Sequence, residues 1–171
     1  MRTLVRSVGR KSIGGEPLPS CFKAFEQNKI IIRRSEVSMF AGAPGTGKST
    51  LALALALKTN VPTLYISADT NAHTMAMRLA SMISGKNQTD VEMKLNTDVG
   101  WTKAVLQKGS HIVWSFESSP TLEDIAEEVE AFEELWGMPP ALIVLDNLMD
   151  VATDGGEEFA SMRAIMKELK Y

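Results

Sequence analysis

Gly42, Gly47, Lys48 and Ser49 carry the most chemical information in the chain. Their spacing, G-x-x-x-x-G-K-[ST], is that of a phosphate-binding loop. It lies within E-V-S-M-F-A-G-A-P-G-T-G-K-S-T-L-A-L-A-L-A-L-K-T, from Glu36 to Thr59. Each residue type has a physical reason. Gly42, Gly45 and Gly47 reach backbone angles closed to other residues, so main-chain N–H groups can close around an anion. A helix opening near Lys48 adds unpaired first-turn donors and the positive end of its dipole. Lys48 would reach the β- and γ-phosphates, and the Ser49 hydroxyl would ligate Mg²⁺. Pro44 stiffens the loop, and Ala43, Thr46 and Thr50 complete the stretch that would surround the phosphates. The expected ligands are ATP and Mg²⁺. A glycine-rich turn of purely structural use is the competing reading, and the apolar run before the loop and the helix formers after it weigh against it.

Cleaving a γ-phosphate also needs a metal anchor and a group that orients the attacking water. Asp146 closes the apolar run A-L-I-V-L, the Walker B pattern, and its carboxylate would hold Mg²⁺ directly or through water. Many buried strands end in Asp at a turn, and it is the phosphate loop upstream that gives Asp146 its functional reading. Asn147 fits the same water network and fits a plain turn equally well. Asp69, just past the next strand, is the candidate water activator, and it is equally an ordinary helix N-cap. Spacing alone does not choose between them.

The elements that must position these groups follow from the pattern. Residues 1–20 are polar and punctuated by Gly9, Gly14, Gly15, Pro17 and Pro19, as in a linker or arm. Cys21 to Gln27 reads as a short helix and Ile30 to Ile32 as a short strand or turn. Val37 to Ala41 reads as the first core strand. Leu51, Leu53, Leu55 and Leu57 alternate with alanines, formally a strand period. Ala and Leu are strong helix formers, however, and a helix buried on most sides is predicted there. Thr63 to Ser67 is the second strand. A helix follows the cap cluster Asp69-Thr70-Asn71 and runs to about Ser84, with Gly85 ending it. Residues 86–110 are expected to hold one helix, near Trp101 to Lys108. His111 to Phe116 is a third strand, and Pro120-Thr121 opens an acidic helix with Leu122, Ile125, Val129 and Phe132 inward. Ala141 to Leu145 is a fourth strand, and Glu157 to Lys170 a last helix. Strands alternating with helices predict a three-layer α/β fold with a mostly parallel sheet.

Composition excludes several classes. With 171 residues, 44% hydrophobic and 23% charged, the chain suits one ordinary globular domain. No apolar run reaches membrane-spanning length, so no membrane partner is expected. A single cysteine, Cys21, excludes an internal disulfide, and with His73 and His111 widely separated from it a structural zinc site is improbable. Both histidines and Cys21 read as packing or surface residues. The net charge of −3 is uneven: residues 1–34 hold eight basic side chains against Glu16 and Glu26, a balance of +6, leaving −9 for the rest. A basic arm and lead-in (1–34) on an acidic core (35–171) suits a polyanion or a neighbouring subunit, and a solvated tail equally well. The Arg-rich first twelve residues also carry a faint transit-peptide composition, without its apolar face.

Y-I-S-A-D-T-N-A-H-T-M-A-M-R-L-A-S-M, from Tyr65 to Met82, resembles the DnaB-like replicative helicases of the RecA-like ATPase superfamily. In that family the second strand ends in Ser-x-Glu-Met, and the next helix carries an Arg-Leu or Arg-Met pair where Arg78-Leu79 stands. The order of phosphate loop, acidic residue and Walker B Asp also matches. The resemblance implies a RecA-like fold and an ATP-driven, Mg²⁺-dependent DNA helicase acting in replication. It further implies single-stranded DNA as partner, homo-oligomers (hexamers in the family), and the cytoplasm of a bacterial or phage-infected cell. Beside Lys48 and Asp146, placed in catalysis by their own motifs, it implies that Asp69 polarises the water, from a side chain one methylene shorter than the family's Glu.

The sequence departs from the family elsewhere. The family's strand after Walker B lies between the Walker B and phosphate-loop strands, and its arginine finger and sensor residue follow. None of these is found here, nor is the family's collar domain, so the sequence reads as the front portion of a motor domain. Asp150, Asp154, Glu157 and Glu158 in the loop after Walker B would repel DNA, although Gly155-Gly156 offers main-chain N–H groups. Trp101, Trp114 and Trp136 suit packing better than base stacking. The rival readings are a RecA-like recombinase or regulatory ATPase, and a nucleotide-binding accessory subunit that does not hydrolyse ATP.

Overall fold

The Leu-Ala alternation after the phosphate loop folds as a helix, and the sheet is laid against it. In the computed structural model the described residues are 15–152. The basic residues Arg2, Arg6, Arg10 and Lys11, the Gly155-Gly156 loop and the last helix read from the sequence lie outside them. A short helix α1 (Lys23–Gln27) precedes α2 (Lys48–Thr59), β1 (Thr63–Ser67) and α3 (Ala72–Ser84). Then come α4 (Gln88–Thr97), α5 (Val99–Leu106), β2 (Ile112–Ser115), α6 (Leu122–Trp136) and β3 (Leu142–Asp146).

The three strands are parallel in the order β2-β1-β3, with Tyr65 opposite Trp114 and Val144, and Ser67 opposite Asp146. All five residues of the central strand β1 are buried, as a parallel strand covered on both faces requires. On one face Tyr65, Ile112 and Val144 meet Leu53 and Ala56 of α2 and Met75 and Leu79 of α3. On the other, Leu64 and Ile66 meet Ile125 and Phe132 of α6, with Val151 beside them. The fold is the expected α/β sandwich of helix, sheet and helix.

Local chemistry sets the element ends. Asn71 caps α3 by accepting from the Thr74 N–H, and Gly85 closes it at φ 68°. Thr121 and Asp124 form a reciprocal capping box on α6, which Gly137 ends at φ 69°. His111 Nε2 lies 3.1 Å from the Ala56 carbonyl, so with that nitrogen protonated it donates across from the start of β2 to α2. The histidine is a structural tie. Cys21 is half-buried, and burial pushes its thiol up, against a smaller opposing effect of Lys58.

Two sequence expectations change. Val37 to Ala41 forms no strand among the described residues, and Val37 and Met39 are 38% and 55% exposed. Its β-prone composition is insufficient because a strand exists only through ladder partners. β3 pairs with β1 on one edge and has no described strand on the other. Residues 86–110 hold two helices, since α4 precedes α5. α4 is polar and buries only Val91, which packs with Ala80 and Val105. The lead-in also folds back on itself: the Leu18 N–H donates to Ile32 O and the Arg34 N–H to Glu16 O, around an antiparallel Pro17–Arg33 bridge. Among the described residues no helix is long and apolar enough to cross a membrane.

Leu53 is fully buried between α2 and the sheet, whereas Leu135 on α6 is 71% exposed. In urea denaturation, Leu53→Ala should cost about 3 kcal/mol and Leu135→Ala under about 0.5 kcal/mol. Equal losses would contradict this packing of α2.

Candidate nucleotide site

The phosphate loop is an exposed turn closed by its own groups. Thr46 donates both its N–H (3.3 Å) and its hydroxyl (2.8 Å) to the Ala43 carbonyl. Lys48 Nζ folds back onto the carbonyls of Gly42 and Ala43 at 3.0 and 3.1 Å. Gly45 and Gly47 stand at φ 78° and 88°, where a Cβ is strained. At Gly42 a Cβ would come within 2.9 Å of Thr46 Oγ1, so a side chain there would displace the hydroxyl that closes the turn. Gly47 is the N-cap of α2 and gives no side-chain bond, so the first-turn N–H groups keep their donors for an anion. Pro44 sits on the exposed turn and Thr50 on the exposed side of the first helical turn.

Ser49 and Asp146 stand 97 positions apart in the sequence, yet Ser49 Oγ donates to Asp146 Oδ1 at 3.0 Å. Asp146 is 7% exposed at the C-terminal end of β3. Its second oxygen, Oδ2, accepts from the hydroxyl of Tyr65 at 2.8 Å. The register explains the reach: Tyr65 pairs with Val144, so Asp146 is its diagonal neighbour on the same sheet face. Beyond the paired residues, the Ala68 N–H donates to the Asp146 carbonyl at 2.8 Å. Asp69 therefore leaves β1 one residue past this tie, at the same end of the sheet as Asp146.

Asp69 is exposed, and its Oδ1 accepts from the Thr70 hydroxyl at 2.8 Å. The cap of α3 is Asn71, which removes the helix-cap explanation of Asp69. Asn147 caps the short 3₁₀ turn Leu148–Asp150 through the Met149 N–H, a turn role. Arg78 is half-buried on α3 and Leu79 is in the core. Trp114 packs on Tyr65 at 4.9 Å and Trp136 stacks on Phe132 at 5.5 Å, while Trp101 lies under Lys94. All three tryptophans are engaged in packing.

Among the described residues no group of three or more His, Cys, Asp or Glu could hold a metal. Mg²⁺ with a nucleotide needs only one or two protein oxygens, its octahedron being filled by phosphates and water. Ser49 Oγ and Asp146 Oδ1 are such a pair, already converged beside the loop. The donor set fits.

The residue missed from the sequence is Tyr65. A tyrosine in a fully buried strand must find a partner for its hydroxyl, and that signal was available without revealing which partner. Burial, then the charge of Asp146 and its hydrogen bond, push the Tyr65 phenol far above its ordinary value of 10.0.

A parallel α/β sandwich with a glycine loop opening a helix, and a Walker B aspartate touching the loop serine, defines a P-loop ATPase domain. The chain belongs to the AAA domain family, whose model matches residues 27–171. It is 34% identical over 175 residues to the Gene 65 protein of Mycobacterium phage L5, covering 99% of this chain and 65% of that protein. It is also 34% identical over 143 residues to the Gene 65 protein of Mycobacterium phage D29, covering 77% of this chain and 58% of that one. The chain thus spans less than two thirds of the length of these relatives.

A phenol whose folded value is raised stabilises the fold below its unfolded value, and that contribution is lost as pH climbs through the folded one. The chain has two tyrosines. In a Tyr171→Phe variant, absorbance at ~295 nm should stay flat through pH ~10 and rise only with unfolding. A reversible rise near pH ~10 in folded protein would contradict the Tyr65–Asp146 bond.

Proposed function

We propose that the chain is an ATP-binding, Mg²⁺-dependent RecA-like motor domain of the DnaB-like helicase type. It would act on single-stranded DNA as a homo-oligomer in the cytoplasm of a phage-infected bacterium. The observation that carries the nucleotide reading is the Ser49–Asp146 contact, because it joins the two motifs that share a metal in P-loop enzymes. The Tyr65–Met82 stretch supports the helicase reading, and the phage relatives support the setting of a phage-infected cell.

In this reading the loop amides from Gly42 to Ser49 and the start of α2 bind the phosphates. Lys48 exchanges its bonds to the Gly42 and Ala43 carbonyls for the β- and γ-phosphate oxygens. Ser49 and Asp146 would hold Mg²⁺, which would supply charge neutralisation for the transferring phosphoryl group. Asp69, exposed at the strand ends, accepts a hydrogen bond from the attacking water and aims it. Asp124, Glu127 and Glu128 of α6 line a cleft with Ser115 of β2, an acidic face that would repel DNA, so DNA contact would fall to the basic residues of 1–34.

Lys48→Ala should abolish ATP binding or turnover, and Asp69→Asn should keep binding while lowering turnover by 10²- to 10⁴-fold, on the order of general-base losses. The assay is nucleotide titration with ATPase rate, with and without single-stranded DNA. Turnover of Asp69→Asn equal to wild type would remove Asp69 from the mechanism. Nucleotide binding without any turnover in wild type would favour an accessory subunit over a motor.

A further inference from the structure

Tyr65 lies outside the phosphate loop and outside the Walker B strand, yet it holds half of the Walker B carboxylate. Its side chain is fully buried, in a cluster with Leu53, Ala56 and Val144 and 4.9 Å from the Trp114 ring. Packing therefore fixes where the hydroxyl stands. From that position it donates to Asp146 Oδ2 at 2.8 Å, while Ser49 donates to Oδ1 at 3.0 Å. The carboxylate is pinned from both sides, one donor on α2 and the other on β1.

These two donors are not equivalent. Ser49 is at the mouth of the loop and can trade its bond to Asp146 for a bond to metal. Tyr65 is enclosed, and among the described residues its hydroxyl bonds Asp146 alone, away from the loop mouth where a ligand would enter. A hydrogen bond to a charged acceptor in a low-dielectric site is among the stronger kinds, and it restricts rotation of the carboxylate about its last torsion. We infer that Tyr65 is a positioning residue for the nucleotide's divalent cation: by holding Asp146 Oδ2, it keeps Oδ1 aimed at Ser49 and the metal.

The inference rests on the nucleotide reading above, but adds a role that the loop and Walker B motifs do not contain. It also explains a cost. A phenol oxygen placed between α2 and the sheet is worth burying only where an acceptor waits, and here the acceptor is the residue that must not turn.

Tyr65→Phe keeps the ring and removes the donor. Binding of a fluorescent ATP analogue would be titrated with Mg²⁺ and, separately, measured in EDTA, alongside a thermal melt. The expected result is a roughly ten-fold rise in the Mg²⁺ concentration at half-saturation, the low end of outer-shell effects on metal affinity. Affinity in EDTA should stay within about two-fold. In an Asp146→Asn background the same substitution should add no further shift, because the hydroxyl acts through the carboxylate. An unchanged Mg²⁺ response in Tyr65→Phe would overturn the inference. So would equal loss of affinity with and without metal, or a variant that no longer folds, since either makes the tyrosine only a packing residue. Failure of wild type to bind nucleotide at all would instead sink the nucleotide reading itself, and the tyrosine's role with it.

Discussion

One carboxylate joins the parts of this domain that matter. Asp146 receives the hydroxyl of Ser49 from the start of α2 and that of Tyr65 from the centre of the sheet. It ties helix, central strand and Walker B strand at a single point. A carboxylate with little access to water is tolerable only when its oxygens are satisfied, so both donors are needed to keep it there. The phosphate loop then stands at the one corner of the sandwich where glycine geometry, helix N–H groups and a buried acid converge.

Much of this was legible in the chain. Thr63 to Ser67 was readable to the residue because a buried parallel strand is a short apolar run between turn signals. The phosphate loop and the helix after it were readable for a different reason: the chemistry demands a helix there, which outweighed the strand-like Leu-Ala period. Thr121 and Gly137 announced α6 through capping rules that depend on local sequence alone.

What was not legible depended on partners. Val37 to Ala41 has strand composition, but a ladder is made by two segments and one segment cannot report the other. α4 was missed because its face buries little beyond Val91, leaving almost no hydrophobic period to find; the Asn87–Asp90 pair, bonded both ways, was the available signal. Asp69 could not be separated from a helix cap until Asn71 was seen to fill that position. Tyr65 needed the strand register, since only the pairing of Ser67 with Asp146 brings its hydroxyl within reach.

The parallel order of the sheet has a kinetic side as well. Each strand-to-strand connection crosses over through helices, and the Ser49–Asp146 contact closes a loop of 97 residues in sequence separation. Ordering so long a segment costs loop-closure entropy before any contact at its ends can compensate. The helices α3 to α5 pack on one another over short separations and can form early, while the corner that gathers Ser49 and Asp146 comes together near the end. Competence to hold a phosphate is then a late property of the folding chain, a marker that the sheet has closed in its proper order.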